Sequence, residues 1–124
     1  MRPFYAIATA LLVATPAIAK DTIPAATPVG KPLDCIQGER WVKETRVRSD
    51  EVIDFYMYSN KVYRNTLPIA CPQLGFEQRF LHTTRGPNQY CSLDTITVLT
   101  DPNLTHGATC GLGKFQEVKL ASTK

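Results

Sequence analysis

The chain reads as an all-β protein, a small antiparallel barrel or sandwich of about six strands stapled by two disulfides. Three observations predict it. Short β-branched and aromatic runs alternate in polarity with a period of two, and turn residues interrupt them every ~8–12 positions. Beyond the N-terminal apolar run, no stretch shows the i, i+3, i+4, i+7 apolar spacing of a helix. With 124 residues, 44% hydrophobic, 20% charged and a formal charge of +3, the chain has room for one domain and not for separate cofactor and substrate domains. Those proportions exclude a disordered chain, a coiled coil and a collagen-like repeat.

Met1-Arg2 places a positive charge ahead of an uncharged, mostly apolar run over residues 4–14. Thr15-Pro16 breaks that run, and Ala17-Ile18-Ala19 offers small residues at both positions a signal peptidase must accommodate. The pattern is that of a secretory signal peptide over residues 1–19, cleaved after Ala19. A membrane anchor would need ~20 uninterrupted apolar residues. No cysteine follows the cleavage point for lipid attachment, and no later segment is apolar enough to span a membrane. The expected location is therefore periplasmic or extracellular. Cleavage leaves 13 basic against 11 acidic residues. Their signs are interleaved (Arg40, Lys43, Arg46 and Arg48 stand among Glu39 and Glu44), so no nucleic-acid partner is expected.

Residues 20–34 contain Pro24, Pro28 and Pro32 without apolar periodicity, which predicts an extended linker. A single β domain should follow over residues 35–120. Residues 41–48 alternate as a first strand, and Ser49-Asp50 supplies a turn. Residues 52–58 form the second, with Ile53, Phe55 and Met57 on one face and Asp54, Tyr56 and Tyr58 on the other. Ser59-Asn60 turns the chain into a third strand over 61–67, completing a meander. Pro68 and Pro72 bar a central strand, so 68–75 is a loop pinned by Cys71. Residues 76–83 read as a fourth strand, with Phe76, Phe80 and His82 on one side, followed by a turn over 85–88. Residues 90–100 give the strongest strand signal, and Asp101-Pro102-Asn103 ends it. A glycine-containing loop leads to Cys110, and a last strand covers 114–120.

Cys35, Cys71, Cys91 and Cys110 stand 36, 20 and 19 residues apart, without the paired C-x-x-C spacing of a structural zinc site. In an exported chain an even cysteine count predicts disulfides, so no metal is expected. Four cysteines allow three pairings, and spacing alone does not choose among them. The expected arrangement nests Cys71–Cys91 inside Cys35–Cys110, tying a turn to a later strand and the domain's beginning to its last strand.

Catalytic signatures are sparse, and no catalytic residue or cofactor is assigned. G-x-S-x-G is absent around Ser49, Ser59 and Ser92, and Gly111-Leu112-Gly113 precedes no helix that would make it a phosphate loop. A small secreted hydrolase of the nuclease or phosphodiesterase type is the enzymatic alternative, with His82 and His106 as acid and base and Arg64 or Arg79 as the cation. Asp54 and Asp94 could line a glycosidase cleft, but hydrogen-bonded strand carboxylates are the commoner role. Tyr56, Tyr58 and Tyr63 would form a contact patch if exposed together.

Three stretches, residues 62–74 (VYRNTLPIACPQL), 91–98 (CSLDTITV) and 110–115 (CGLGKF), resemble in this order a family of small exported proteobacterial proteins of uncharacterised function. The resemblance covers residues 35–118 and implies a Gram-negative periplasmic setting with structural cysteines; it carries no catalytic residue. Arg64, Asn65 and Asp94 are the polar members of these stretches singled out as binding candidates. The resulting expectation is a non-enzymatic binding, inhibitory or structural module whose partner is a periplasmic or extracellular protein.

Overall fold

A computed structural model describes Pro3 and residues 23–83 and 88–121. The expected signal peptide, Pro3 aside, and most of the 85–88 turn lie outside the described residues. Among the described residues there are ten strands in three sheets, none closed into a barrel. The all-β reading and the two disulfides hold, whereas the barrel and the count of about six strands do not.

The meander forms as the alternation dictates. Strands β3 (Val42–Val47), β4 (Val52–Met57) and β5 (Val62–Thr66) are sequential antiparallel neighbours; β1 and β2 precede them and are described below. Ser49 Oγ accepts the N–H groups of Glu51 and Val52 in the first turn. Asn60 adopts φ 67° in the second, a left-handed position that asparagine tolerates. Ile53, Phe55 and Met57 are buried on one face of β4, as the period of two requires.

The 76–83 strand is corrected. A single helical turn, α1 (Leu74–Glu77), takes its first half, and β6 (Phe80–Thr83) only its second. Asp50 is responsible: its carboxylate accepts the Gly75 N–H at 2.7 Å, and Gln73 and Gln78 bracket the turn at φ 71° and 56°. Phe76 consequently faces solvent. The 90–100 strand divides into β7 (Gln89–Cys91) and β8 (Thr95–Thr100). Between them Asp94 folds its side chain back to accept the Cys91 N–H at 2.8 Å, and Leu93 takes φ 74°. The loop expected before Cys110 is instead β9 (Thr105–Gly111), followed by β10 (Phe115–Leu120).

The proline-rich stretch expected as a linker lies along the domain. Its β1 (Ala26–Pro28) pairs antiparallel with β10, and Leu33 exchanges two backbone hydrogen bonds with Phe115. An edge strand tolerates proline because its outward side needs no donor. The larger sheet thus runs β1-β10-β5-β4-β3; a second runs β6-β8-β9; and β2 (Cys35–Gln37) pairs only with β7. One apolar cluster draws on all three, with Phe55 edge-on to both Phe115 (5.2 Å) and Tyr90 (5.3 Å) beside Ile36, Ile96 and Leu74.

The disulfide pairing is also corrected. The bonds are Cys35–Cys91 and Cys71–Cys110, so neither expected pair forms. The β2–β7 register sets Cys35 directly opposite Cys91, and the neighbour of β10 is Leu33 rather than Cys35. Cys71, fully buried in the loop after β5, reaches across to β9. With 39 residues between its ends, the Cys71–Cys110 link stabilises the fold by about 4 kcal/mol on chain-entropy grounds. The double variant Cys71→Ala/Cys110→Ala is expected to lose that amount in urea unfolding; an unchanged midpoint would contradict the assignment.

Candidate functional site

Arg64 is spent on a buried carboxylate. On the face of the larger sheet away from the core, register places Asp54 of β4 opposite Arg64 of β5. Asp54 is fully buried. Arg64 donates to both of its oxygens, through Nε at 2.8 Å and Nη2 at 3.0 Å, and Nη2 also reaches the Pro24 carbonyl. Arg48 adds Nε at 3.0 Å and sends Nη2 to the Tyr56 hydroxyl. The hydrogen bond to Asp54 raises the Arg64 pKa above the ordinary guanidinium value, with burial opposing. Outside this cluster the exposed Arg46 lies over the Tyr56 ring at 4.7 Å and bonds Glu44, which raises its pKa likewise.

Asn65 points to the opposite face and is fully buried. Its Oδ1 accepts the Gly113 N–H at 2.8 Å and its Nδ2 donates to the Gly113 carbonyl at 2.7 Å. A Cβ on Gly113 would collide with the Thr66 carbonyl oxygen, so the clamp requires glycine. The side chain fastens the segment before β10 to β5.

Asp94 meets His82. Asp94 Oδ2 lies 3.1 Å from His82 Nε2, and the His82 ring stacks on Tyr90 at 4.0 Å between centroids. In a neutral ring the carboxylate selects the Nε2–H tautomer, leaving the Nδ1 lone pair, which is buried without a hydrogen-bond partner. The His82 side chain is only 4% exposed, although the residue borders a shallow cleft of about 460 Å³ with Tyr90, Thr45 and Phe80. His106 is exposed on β9 and opposite Leu99, and no hydrogen bond or ion pair joins it to His82. Arg79 pairs with Asp101 and Glu77.

The structure therefore brings Asp94 to His82 but leaves Arg64 and Asn65 on opposite faces of β5. The tyrosines separate as well: Tyr63 is opposite Phe55 on the core side, Tyr56 is on the outer face, and Tyr58 is exposed beyond β4. Among the described residues, no group of three His, Cys, Asp or Glu side chains could hold a metal ion, and no helix is long and apolar enough to cross a membrane.

Residues 68–75 are a loop after β5, as expected, but the sequence did not show that the segment between β5 and β6 turns apolar side chains outward. Ile69 and Phe76 are 79% and 81% exposed, the two most exposed large apolar side chains among the described residues. Around them Leu67, Cys71 and Leu74 are buried. The Leu67 and Cys71 N–H groups bond the carbonyls of Glu51 and Asp50, and Gly75 bonds the Asp50 side chain. An apolar pair is thus displayed on a loop held by a disulfide and by the β3–β4 turn. Pro68 and Pro72 marked the loop in the sequence; the outward direction of Phe76 was masked by its apparent place in a strand. No family model, curated protein or solved structure matches the chain.

Replacing Asp54 with Asn leaves two mostly buried guanidinium groups without their counter-charge and is expected to cost about 3–5 kcal/mol. Arg46→Ala, which removes an exposed ion pair with Glu44 and a surface contact with the Tyr56 ring, should cost about 1 kcal/mol. Equal effects in denaturant unfolding would refute the difference in burial.

Proposed function

We propose that the protein is an exported, disulfide-braced β module that works by binding another protein through the loop between β5 and β6, without catalysing a reaction. The observation that carries this reading is the near-complete exposure of Ile69 and Phe76 on a segment anchored by buried Leu67, Cys71 and Leu74 and cross-linked through Cys71. A loop already fixed in shape loses little conformational entropy when it docks, and exposed apolar anchors supply the contact area. Inhibition of an extracellular hydrolase is one form such binding takes. Export to a Gram-negative periplasm, as the family resemblance implies, belongs to the same proposal. Two disulfides and no free cysteine among the described residues suit an oxidising compartment.

The hydrolase alternative has weaker support. Its proposed pair, His82 and His106, consists of one buried ring held by Asp94 and one exposed ring on another strand.

The test is affinity capture from periplasmic and culture fluids, followed by reconstitution with the purified partner. A stoichiometric complex that Ile69→Asp or Phe76→Asp weakens at least tenfold, with the unfolding midpoint unchanged, is the expected result. A complex indifferent to both substitutions would overturn the reading. So would hydrolysis of RNA or a bis-phosphodiester by the purified protein that His82→Ala abolishes.

A further inference from the structure

Holding Asp54 does not use all of Arg64. A guanidinium carries five N–H groups, and three of them are engaged here: Nε and Nη2 on the Asp54 oxygens, and Nη2 again on the Pro24 carbonyl. Among the described residues, no acceptor engages either N–H of Nη1. The charge is unbalanced as well. Arg48 and Arg64 share one carboxylate, so the cluster keeps one positive charge in excess, on side chains only 19% and 16% exposed. A charge partly withdrawn from water is poorly screened and attracts an anion more strongly than a surface charge does. Arg64 lines a cleft of about 360 Å³ on the outer face of the larger sheet. Register puts Gln116 and Val118 of β10 on that face, and β1 with its proline-rich continuation forms the far side. Gln116 Nε2 fastens this continuation by donating to the carbonyls of Val29 and Gly30. Lys114 also lines the cleft, with Asp34 4.0 Å from its Nζ. Ala26, Pro28, Pro32 and the buried Val118 supply apolar walls.

We infer that this cleft binds a small monocarboxylic acid with an apolar body. Its carboxylate accepts from Arg64 Nη1 with Lys114 beside it, while its body lies against the prolines, Ala26 and Val118. Two observations choose this chemistry over other anions. With Lys114 offset by Asp34, the excess at the cleft is a single positive charge. One carboxylate balances it, whereas a phosphate, at about −1.5 to −2, exceeds it. The walls are the second observation: an inorganic anion has nothing to bury against them, and a hydrocarbon body gains by covering them. The cleft is also near the small end of the range for ligand sites, which suits a free acid rather than a protein segment.

The inference does not rest on protein binding by the loop between β5 and β6, and it is tested separately. Octanoate is titrated into the purified protein and followed by calorimetry and two-dimensional NMR. Saturable binding in the millimolar range or tighter is expected, shifting the Arg64 side-chain N–H signal and the amide signals of residues 116–118. Octanol, which has the body without the charge, should bind at least tenfold more weakly, and so should inorganic phosphate, which has charge without the body. Lys114→Glu, at an exposed position, should weaken octanoate binding at least tenfold and leave the unfolding midpoint in place. Lys119→Glu, which alters the net charge equally from outside the cleft, should change it by less than about twofold. No saturable binding of octanoate would overturn the inference. Octanol or phosphate binding as tightly as octanoate, indifference to Lys114→Glu, or signals that shift only at another cleft or at the β5–β6 loop would do so equally.

Discussion

The bond between Cys71 and Cys110 joins a loop that leaves the larger sheet to the outermost strand of the smaller one. Without it, the loop would be held by a few backbone hydrogen bonds to residues 50 and 51 and by the burial of Leu67 and Leu74. The second disulfide works differently. Cys35–Cys91 locks the register of the two short strands β2 and β7, whose three residues each would make a marginal ribbon alone. Both links suit a chain whose described domain is too small for its core to leave a wide margin of stability.

The polar interior follows a common rule: each buried carboxylate or amide is given partners that satisfy it. Asp54 receives two arginines, Asn65 closes on one glycine, and Asp94 accepts both a backbone N–H and the His82 ring. Such groups add little net stability when complete, and removing one partner is expensive because the other remains buried. They fix how strands and loops meet. Arg64, Asn65 and Asp94, which stood out as polar candidates in the sequence, are thus occupied in holding the fold, and the two most exposed large apolar residues among the described ones lie between β5 and β6.

How much was legible follows the range of the interactions. The β3–β4–β5 meander was readable because alternation at Ile53, Phe55 and Met57 and the turns at Ser49 and Asn60 are local signals. α1 was not, because it depends on an Asp50 carboxylate 25 residues away in sequence. The break between β7 and β8 was hidden ahead of the β-branched run over residues 95–98, with only Ser92 and Asp94 to mark it. β9 was read as a loop because glycine and threonine give it no apolar face. The disulfide pairing depends on the β2–β7 register, which spacing does not encode. In the same way Arg64 stood out as a polar candidate and Asp54 as a strand carboxylate, but their meeting is a product of cross-strand register.

A braced loop carrying two exposed apolar anchors needs its cross-link, so the pairing of the cysteines is the point on which the account turns. Peptide mapping of the natively isolated protein under non-reducing conditions measures it directly. Linked peptides containing Cys35 with Cys91 and Cys71 with Cys110, and no alkylatable thiol, are expected. Peptides joining Cys71 to Cys91, or free sulfhydryls at Cys71 and Cys110, would contradict it.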